Sequence, residues 1–407
     1  MNILFWLSVA WLFYIYAGYP PLLWVMGSMR KVRFLRDAEY RPAVSVLISA
    51  RNEEKDIGWK VAETLAWNYP RERLEVLVAS DASKDRTEEI LRAISDPRFR
   101  WLANHRRLGK NISLVRLAEI ASGELLFFTD ANSHITENSL TAIARHFADP
   151  KVGCVTSCER PESGEFDGGM SRGEGFYQRY ESWINSLENR IGSVLTCDGS
   201  IFCIRRNLFT TLDPDLANDL ELPLRIGAAG FATLFEVSAF STERATSSAG
   251  EEFDRRRRIC AQGFLAAWRL KGILRGVRVW QFASRKLLRW LALIPILLAA
   301  ASSAYLAGRS HLFAFFLIPQ IAFGALALAG WGSNAMGRRS NTLTSLPFFF
   351  LLIHVAALLG IVQTCFGRRF ALWESPALSR GRSAAEGKHA APAAEGPAGL
   401  AGAESDR

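Results

Sequence analysis

Two carboxylates and one amide fall where an open sheet would put them to chemical use. Leu125–Asn132, LLFFTDAN, is a short apolar run that ends in Asp130, with Asn132 two residues further on. A run of this kind, bounded by polar turn residues, reads as a buried parallel strand. An acid at the carboxyl end of such a strand sits where α/β sheets bind ligands. Asp-x-Asn offers hard oxygen donors on one short turn, which suits Mg²⁺ or Mn²⁺ bridging a diphosphate. Taken alone, the pair fits a helix cap equally well. A second acidic loop tips the balance. Leu74–Ala79, LEVLVA, runs into Ser80-Asp81-Ala82-Ser83-Lys84-Asp85-Arg86-Thr87, so Asp81 and Asp130 would share one sheet edge and one crevice.

The elements that must position them alternate. AVSVLISA at 43–50 reads as strand one, followed by the polar loop Arg51-Asn52-Glu53-Glu54 and an amphipathic helix to about Trp67. Strand two precedes a helix over 88–94, Phe99–Ala103 is a third strand, and Arg106–Lys110 is a basic loop before a helix over 111–121. Strand-helix alternation with short loops predicts a mostly parallel, doubly wound sheet. Further strands are expected at 152–157, 195–204 and 232–238, and helices at 176–191 and 218–226. Residues 160–175, polar and Gly-rich, read as a mobile loop.

The flanks are apolar. Residues 3–26 carry no charge and are followed by Arg30, Lys31, Arg33 and Arg36, which predicts a retained span with the following domain cytoplasmic. Runs at about 287–307, 311–331 and 346–366 are each long enough to cross a bilayer. Residues 270–287 read as an interfacial amphipathic helix, and His354 as a helix–helix hydrogen-bonding residue. With four spans the C-terminus falls outside, which Arg368-Arg369 opposes. The net charge of +9 beside these runs points to an anionic membrane surface and a phosphate-bearing substrate, with no nucleic acid. Six cysteines without zinc spacing read as reduced, mostly buried thiols.

The commoner phosphate motifs are missing. Leu108-Gly109-Lys110-Asn111 is not a P-loop, and no G-x-G-x-x-G follows strand one. Carboxylates on loop ends, a basic loop and a membrane tether remain, and these fit group transfer from a nucleotide-diphosphate donor. Asp81 and Glu53 would accept hydrogen bonds from base and ribose. An acceptor hydroxyl would need a general base on a helix N-terminus facing the crevice.

VSVLISARNEE at 44–54, SDASKDRT at 80–87, RLGKNISL at 107–114, FFTDANS at 127–133, CDGSIFCIRR at 197–206, NDLELPLRI at 218–226 and EEFDRRRRICAQG at 251–263 come in order. Together they resemble a membrane-bound family 2 glycosyltransferase of the GT-A fold. The resemblance implies an α/β catalytic domain with a Rossmann-like, mostly parallel sheet, one N-terminal and about three C-terminal transmembrane helices. It divides the chain into an anchor over 1–28, a catalytic domain over 40–250, basic interfacial helices over 251–286, transmembrane helices over 287–367 and a disordered tail over 376–407. It implies that Ala50, Arg51, Glu53 and Asp81 hold the nucleotide, with Lys110 nearby. Asp130 and Asn132 would bind Mg²⁺ or Mn²⁺, and Asp198 and Gly199 would line the acceptor and donor turn. Asp219 would be the catalytic base of an inverting reaction, and Arg255 and Arg258 would stabilise the diphosphate.

Three departures matter. Asn132 stands where the family has a second Asp, Asn218 stands in the usual acidic pair, and an arginine run replaces the Gln-x-x-Arg-Trp motif of processive synthases. The reading is transfer of a sugar from a nucleotide sugar, UDP-linked by resemblance, to a lipid-linked or saccharide acceptor at a bacterial plasma membrane, among membrane lipids. A processive polysaccharide synthase and a non-catalytic nucleotide-sugar-binding module are the alternatives.

Overall fold

Alternating apolar side chains along the first strands fill two cores, one on each face of a single sheet. The structure, a computed structural model, describes residues 1–29, 32–161, 169–243, 248–336 and 341–370. After α1 (Asn2–Met29) come β1 (Val44–Ala50), α2 (Ile57–Leu65), β2 (Leu74–Asp81), α3 (Thr87–Arg92), β3 (Phe99–Asn104), α4 (Lys110–Ile120) and β4 (Leu125–Asp130). Val44, Val46, Ile48, Val76, Val78, Leu125 and Phe127 pack into one core. Leu47, Leu77, Leu126 and Phe128 point the other way into a second core under α4. This two-residue period with both faces buried is what a parallel sheet flanked by helices requires.

The second half of the sheet is mixed. β5 (His134–Ile135), α5 (Ser139–Ala144), β6 (Val152–Pro161), α6 (Gly169–Arg190), β7 (Phe202–Arg205), α7 (Asn218–Ala228) and β8 (Ala232–Glu243) follow. The strand order is β3-β2-β1-β4-β7-β6-β8-β5. β1, β2, β3 and β4 run parallel to one another, and β7 is antiparallel to both β4 and β6. Phe128 of β4 and Phe202 of β7 stack at 4.5 Å across that reversal. The register sets Ser49 beside Asp130 and Asp81 beside Asn104, so the carboxyl ends of β1, β2 and β4 open together.

The helices after the sheet tie the domain to an apolar layer. α8 (Ala249–Arg269) leads to α9 (Val277–Trp290) and α10 (Leu293–Ala307), which meet at 57°. α11 (His311–Ala335) and α12 (Thr342–Cys365) follow. By length and composition α1, α11 and α12 can each cross a membrane, and α9 with α10 makes a fourth if the bent pair counts as one span. α9 starts seven residues later than the expected interfacial helix, because Gly276 at φ 59° breaks the chain before it. Where these helices meet α6, Arg285 binds Glu188 at 2.6 Å and Glu181 at 2.8 Å, and Arg289 binds Glu181 at 2.5 Å. Tyr16 on α1 bonds to His354 on α12, so that histidine joins helices as expected.

The Gly-rich stretch at 160–175 is not wholly a loop. β6 runs on through Pro161 and α6 begins at Gly169, while 162–168 lie outside the described residues. A Cβ at Gly173 would stand 2.6 Å from the Phe349 ring, so that glycine serves a close approach of α6 and α12. Arg30, Lys31, Arg338, Arg339 and the tail over 376–407 also lie outside the described residues. All six cysteines are free, and five of them are buried.

Candidate active site

The loop after β3 is held by both oxygens of one carboxylate at the end of β2. Asp81 Oδ1 accepts from the Leu108 amide at 2.7 Å and from Asn104 Nδ2 at 3.0 Å, and its Oδ2 accepts from the Gly109 amide at 2.9 Å. Arg51 donates to the Asp81 carbonyl at 2.9 Å, and the Glu53 amide donates to Thr87 Oγ1 at 2.8 Å. Asp81 therefore locks the basic loop against the sheet edge with charge-assisted bonds. Gly109 makes this possible, because at φ 89° and ψ 164° it occupies a region open almost only to glycine. Gly109→Ala should cost about 1–3 kcal/mol of stability, read by denaturant unfolding.

A cavity of about 410 Å³ opens at this edge, a size suited to a small ligand. Arg51, Glu53, Asp81, Lys110, Asp130, Asn132, Asp198, Gly199, Asp219, Arg255 and Arg258 all line it. Ala50 does not: it is 1% exposed and packs into the core under β1. Sequence reasoning missed Glu159, Glu243, Gln262 and Phe370, which line the same cavity. Glu159 and Glu243 lie near or at the ends of β6 and β8, a signal like the one that marked Asp130. Phe370 carried none, and it arrives only because α12 packs along α8 and Gln262 Nε2 then holds its carbonyl at 3.2 Å.

Lys110 Nζ rests on Asp130 Oδ1 at 2.5 Å, and Asn132 Nδ2 donates to Glu243 Oε1 at 2.5 Å. A positive charge already sits on Asp130, and two more side chains with hard oxygens stand beside it. The donor set therefore suits a divalent cation. Among the described residues no three His, Cys, Asp or Glu side chains converge on one point, so a ligand's oxygens must complete such a shell.

Asp198 spends its carboxylate on its own turn. Its Oδ2 accepts from the Glu159 amide at 2.9 Å, and its Oδ1 accepts from the Ser200 amide at 3.0 Å and from Ser200 Oγ at 2.6 Å. The turn brings Gly199 over the first turn of α7, where a Cβ would meet Asp219 Oδ2 at 3.5 Å. The Cys197 amide donates to the Asp219 carbonyl at 2.8 Å. Burial holds the Asp219 carboxyl above its ordinary range, with Asp198 adding to the shift and Lys110, Lys286 and Arg258 opposing it.

The two cavity arginines on α8 differ. Arg255 binds Glu174 at 2.7 Å and Glu159 at 3.2 Å, with Glu252 at 3.8 Å. Its guanidinium is thus engaged by carboxylates while the residue still lines the cavity. Burial pushes Glu159 and Glu174 upward all the same. Arg258, whose guanidinium burial and Arg255 push down to about 10, directs its charge toward Asp219, Asp130 and Glu243. Arg256 pairs with Glu252 and stacks on Tyr177, and Arg257 pairs with Asp254. The four consecutive arginines thus face four ways, as helical spacing demands.

Residues 45–212 match the family model described as glycosyl transferase family 2, and the chain carries a domain of that family with the GT-A fold. An N-acetylglucosaminyltransferase of Rhizobium meliloti (strain 1021) is 27% identical over 214 residues, covering 47% of this chain and 49% of the relative. A beta-monoglucosyldiacylglycerol synthase of Synechocystis is 23% identical over 215 residues, covering 51% and 43%. The chain thus spans about half the length of the curated relatives it matches. The mannosyltransferase PcManGT from Pyrobaculum calidifontis, solved with GDP-Man and Mn²⁺, superposes with a TM-score of 0.67 at 22% identity, covering 87% of this chain and 99% of that one. That likeness establishes the fold.

Proposed function

We propose that the chain is a membrane-bound, inverting glycosyltransferase that moves a sugar from a nucleotide-diphosphate donor to a lipid-linked or saccharide acceptor. The observation that carries this reading is the placement of Asp219. It is a carboxylate raised by burial, at the start of a helix, lining a cavity that Lys110, Asp130 and Arg258 line as well. A base and a set of charge-stabilising groups for a departing diphosphate thus share one small volume.

Asp219 takes the proton of the acceptor hydroxyl, and the oxygen so freed attacks the anomeric carbon from the face opposite the leaving group. Arg258 and Lys110 stabilise the negative charge that grows on the diphosphate. The Asp81-locked loop with Arg51 and Glu53 forms the wall against which the nucleoside lies. Asp130, with Asn132 and Glu243 beside it, would hold Mg²⁺ or Mn²⁺. Such an ion, when bound, supplies Lewis-acid stabilisation of the diphosphate oxygens. α1, α11 and α12 keep the site at a membrane surface, where a lipid acceptor would reach the cavity laterally.

Asp219 works only when ionised, so kcat/KM should fall as pH drops through its folded value, with a midpoint above the unperturbed Asp pKa of about 3.9. The same shift subtracts stability. The folded state binds that proton more tightly, so the Asp219 contribution grows less favourable as pH rises from the unfolded value through the folded one. A pH–rate profile beside a pH–melting profile reads both.

The direct test of the activity is incubation of membranes containing the full chain with UDP-glucose, UDP-N-acetylglucosamine and GDP-mannose, each with Mn²⁺ or with EDTA. Consumption of one donor, lost with EDTA, is expected. Consumption of none overturns the reading.

A further inference from the structure

The cavity contains a buried donor that the fold leaves unused. Asn218, the first residue of α7, is 5% exposed and lines the cavity. Its Nδ2 is buried and has no hydrogen-bond partner among the described residues. A buried amide donor left unmade carries its full desolvation cost, and an apolar side chain of similar size would avoid it. The other cavity-lining side chains with orphaned atoms, Arg51, Glu53 and Arg258, all belong to residues with further interactions. Asn218 pays this cost one residue before Asp219.

We propose that Asn218 is a specificity-determining residue whose Nδ2 donates a hydrogen bond to an oxygen of the sugar being transferred. The inference rests on the glycosyl-transfer reading and deepens it. The attacking oxygen must lie within reach of Asp219, and the anomeric carbon must stand roughly 3–3.5 Å from that oxygen. The transferred ring is thereby placed against the first turn of α7, where Nδ2 is buried. An amide nitrogen donates only, so its partner must be an oxygen: a ring hydroxyl or the carbonyl of an N-acyl group. It is also neutral, which separates its task from that of Lys110 and Arg258 at the diphosphate. A site built around such a bond rejects the analogue that lacks the oxygen, because the donor is then left buried and unpaired.

The test uses the purified full chain in detergent, with UDP-glucose, UDP-N-acetylglucosamine and GDP-mannose, and then the monodeoxy analogues and, for the N-acetyl donor, the deacetylated analogue of whichever is consumed. For the wild type one analogue should fall roughly 10–100-fold in kcat/KM relative to its parent. Asn218→Leu should lose about as much on the parent donor and no longer distinguish the two. Asn218→Ser, a smaller change that also removes Nδ2, should lose the same discrimination and guards against a Leu variant that misfolds. A merely structural role would lower both donors equally and leave the ratio intact, and that result overturns the proposal. A wild type indifferent to every analogue also overturns it. A wild type that consumes no donor at all removes the underlying activity and the proposal with it.

Discussion

Asp219→Asn is expected to bind the donor nucleotide about as well as the wild type and to turn over roughly a hundred- to ten-thousand-fold more slowly. Asn keeps the shape of the side chain beneath Gly199, whose Cβ position lies 3.5 Å from Asp219 Oδ2, so the turn that lines the cavity should stay in place. What it loses is the ability to take a proton. The cations that would hold a diphosphate, Lys110 and Arg258, lose an opposing carboxylate and should bind an anionic nucleotide no worse. Nucleotide titration by calorimetry beside steady-state turnover separates the two effects. A variant with near-normal turnover would remove Asp219 from the role of base.

The second large effect is a contrast between neighbours one helical turn apart. Arg258→Ala should fold and lose roughly a hundred- to a thousand-fold in kcat, the loss typical of deleting one preorganised charge-stabilising donor. Arg255→Ala should instead destabilise the chain by about 3–5 kcal/mol, because it leaves Glu159 and Glu174 buried without their cation. Thermal unfolding in detergent and turnover, measured on both variants, read the contrast. Equal stability loss in both would show that Arg258 is also a framework residue.

What the sequence disclosed and what it withheld differ for physical reasons. β1, β2 and β4 were legible because each is a short apolar run that ends in a polar loop, and Asp81 and Asp130 fell on one edge. The reversal at β7 was not, since an antiparallel strand of four residues leaves no periodicity to tell it from a parallel one. Asp130 and Asp219 were singled out by type and by resemblance, but the different partners of Arg255 and Arg258 depend on Glu159 and Glu174, brought there by β6 and α6 from far along the chain. Composition misread the stretch around Gly173, where the glycine serves a close approach of α6 to Phe349 of α12. Asn218 was noticed only as a departure from an acidic pair. Its orphaned amide is a property of the packed cavity, which no local pattern encodes.

The central claim is that Asp219 and the cations lining the same cavity drive an in-line displacement at an anomeric carbon. The most direct measurement is the anomeric configuration of the sugar in the product, read by NMR after transfer from an α-linked nucleotide sugar to a membrane-extracted acceptor. A β-linked product is the predicted result. Retention of the α configuration would contradict a single displacement with Asp219 as its base.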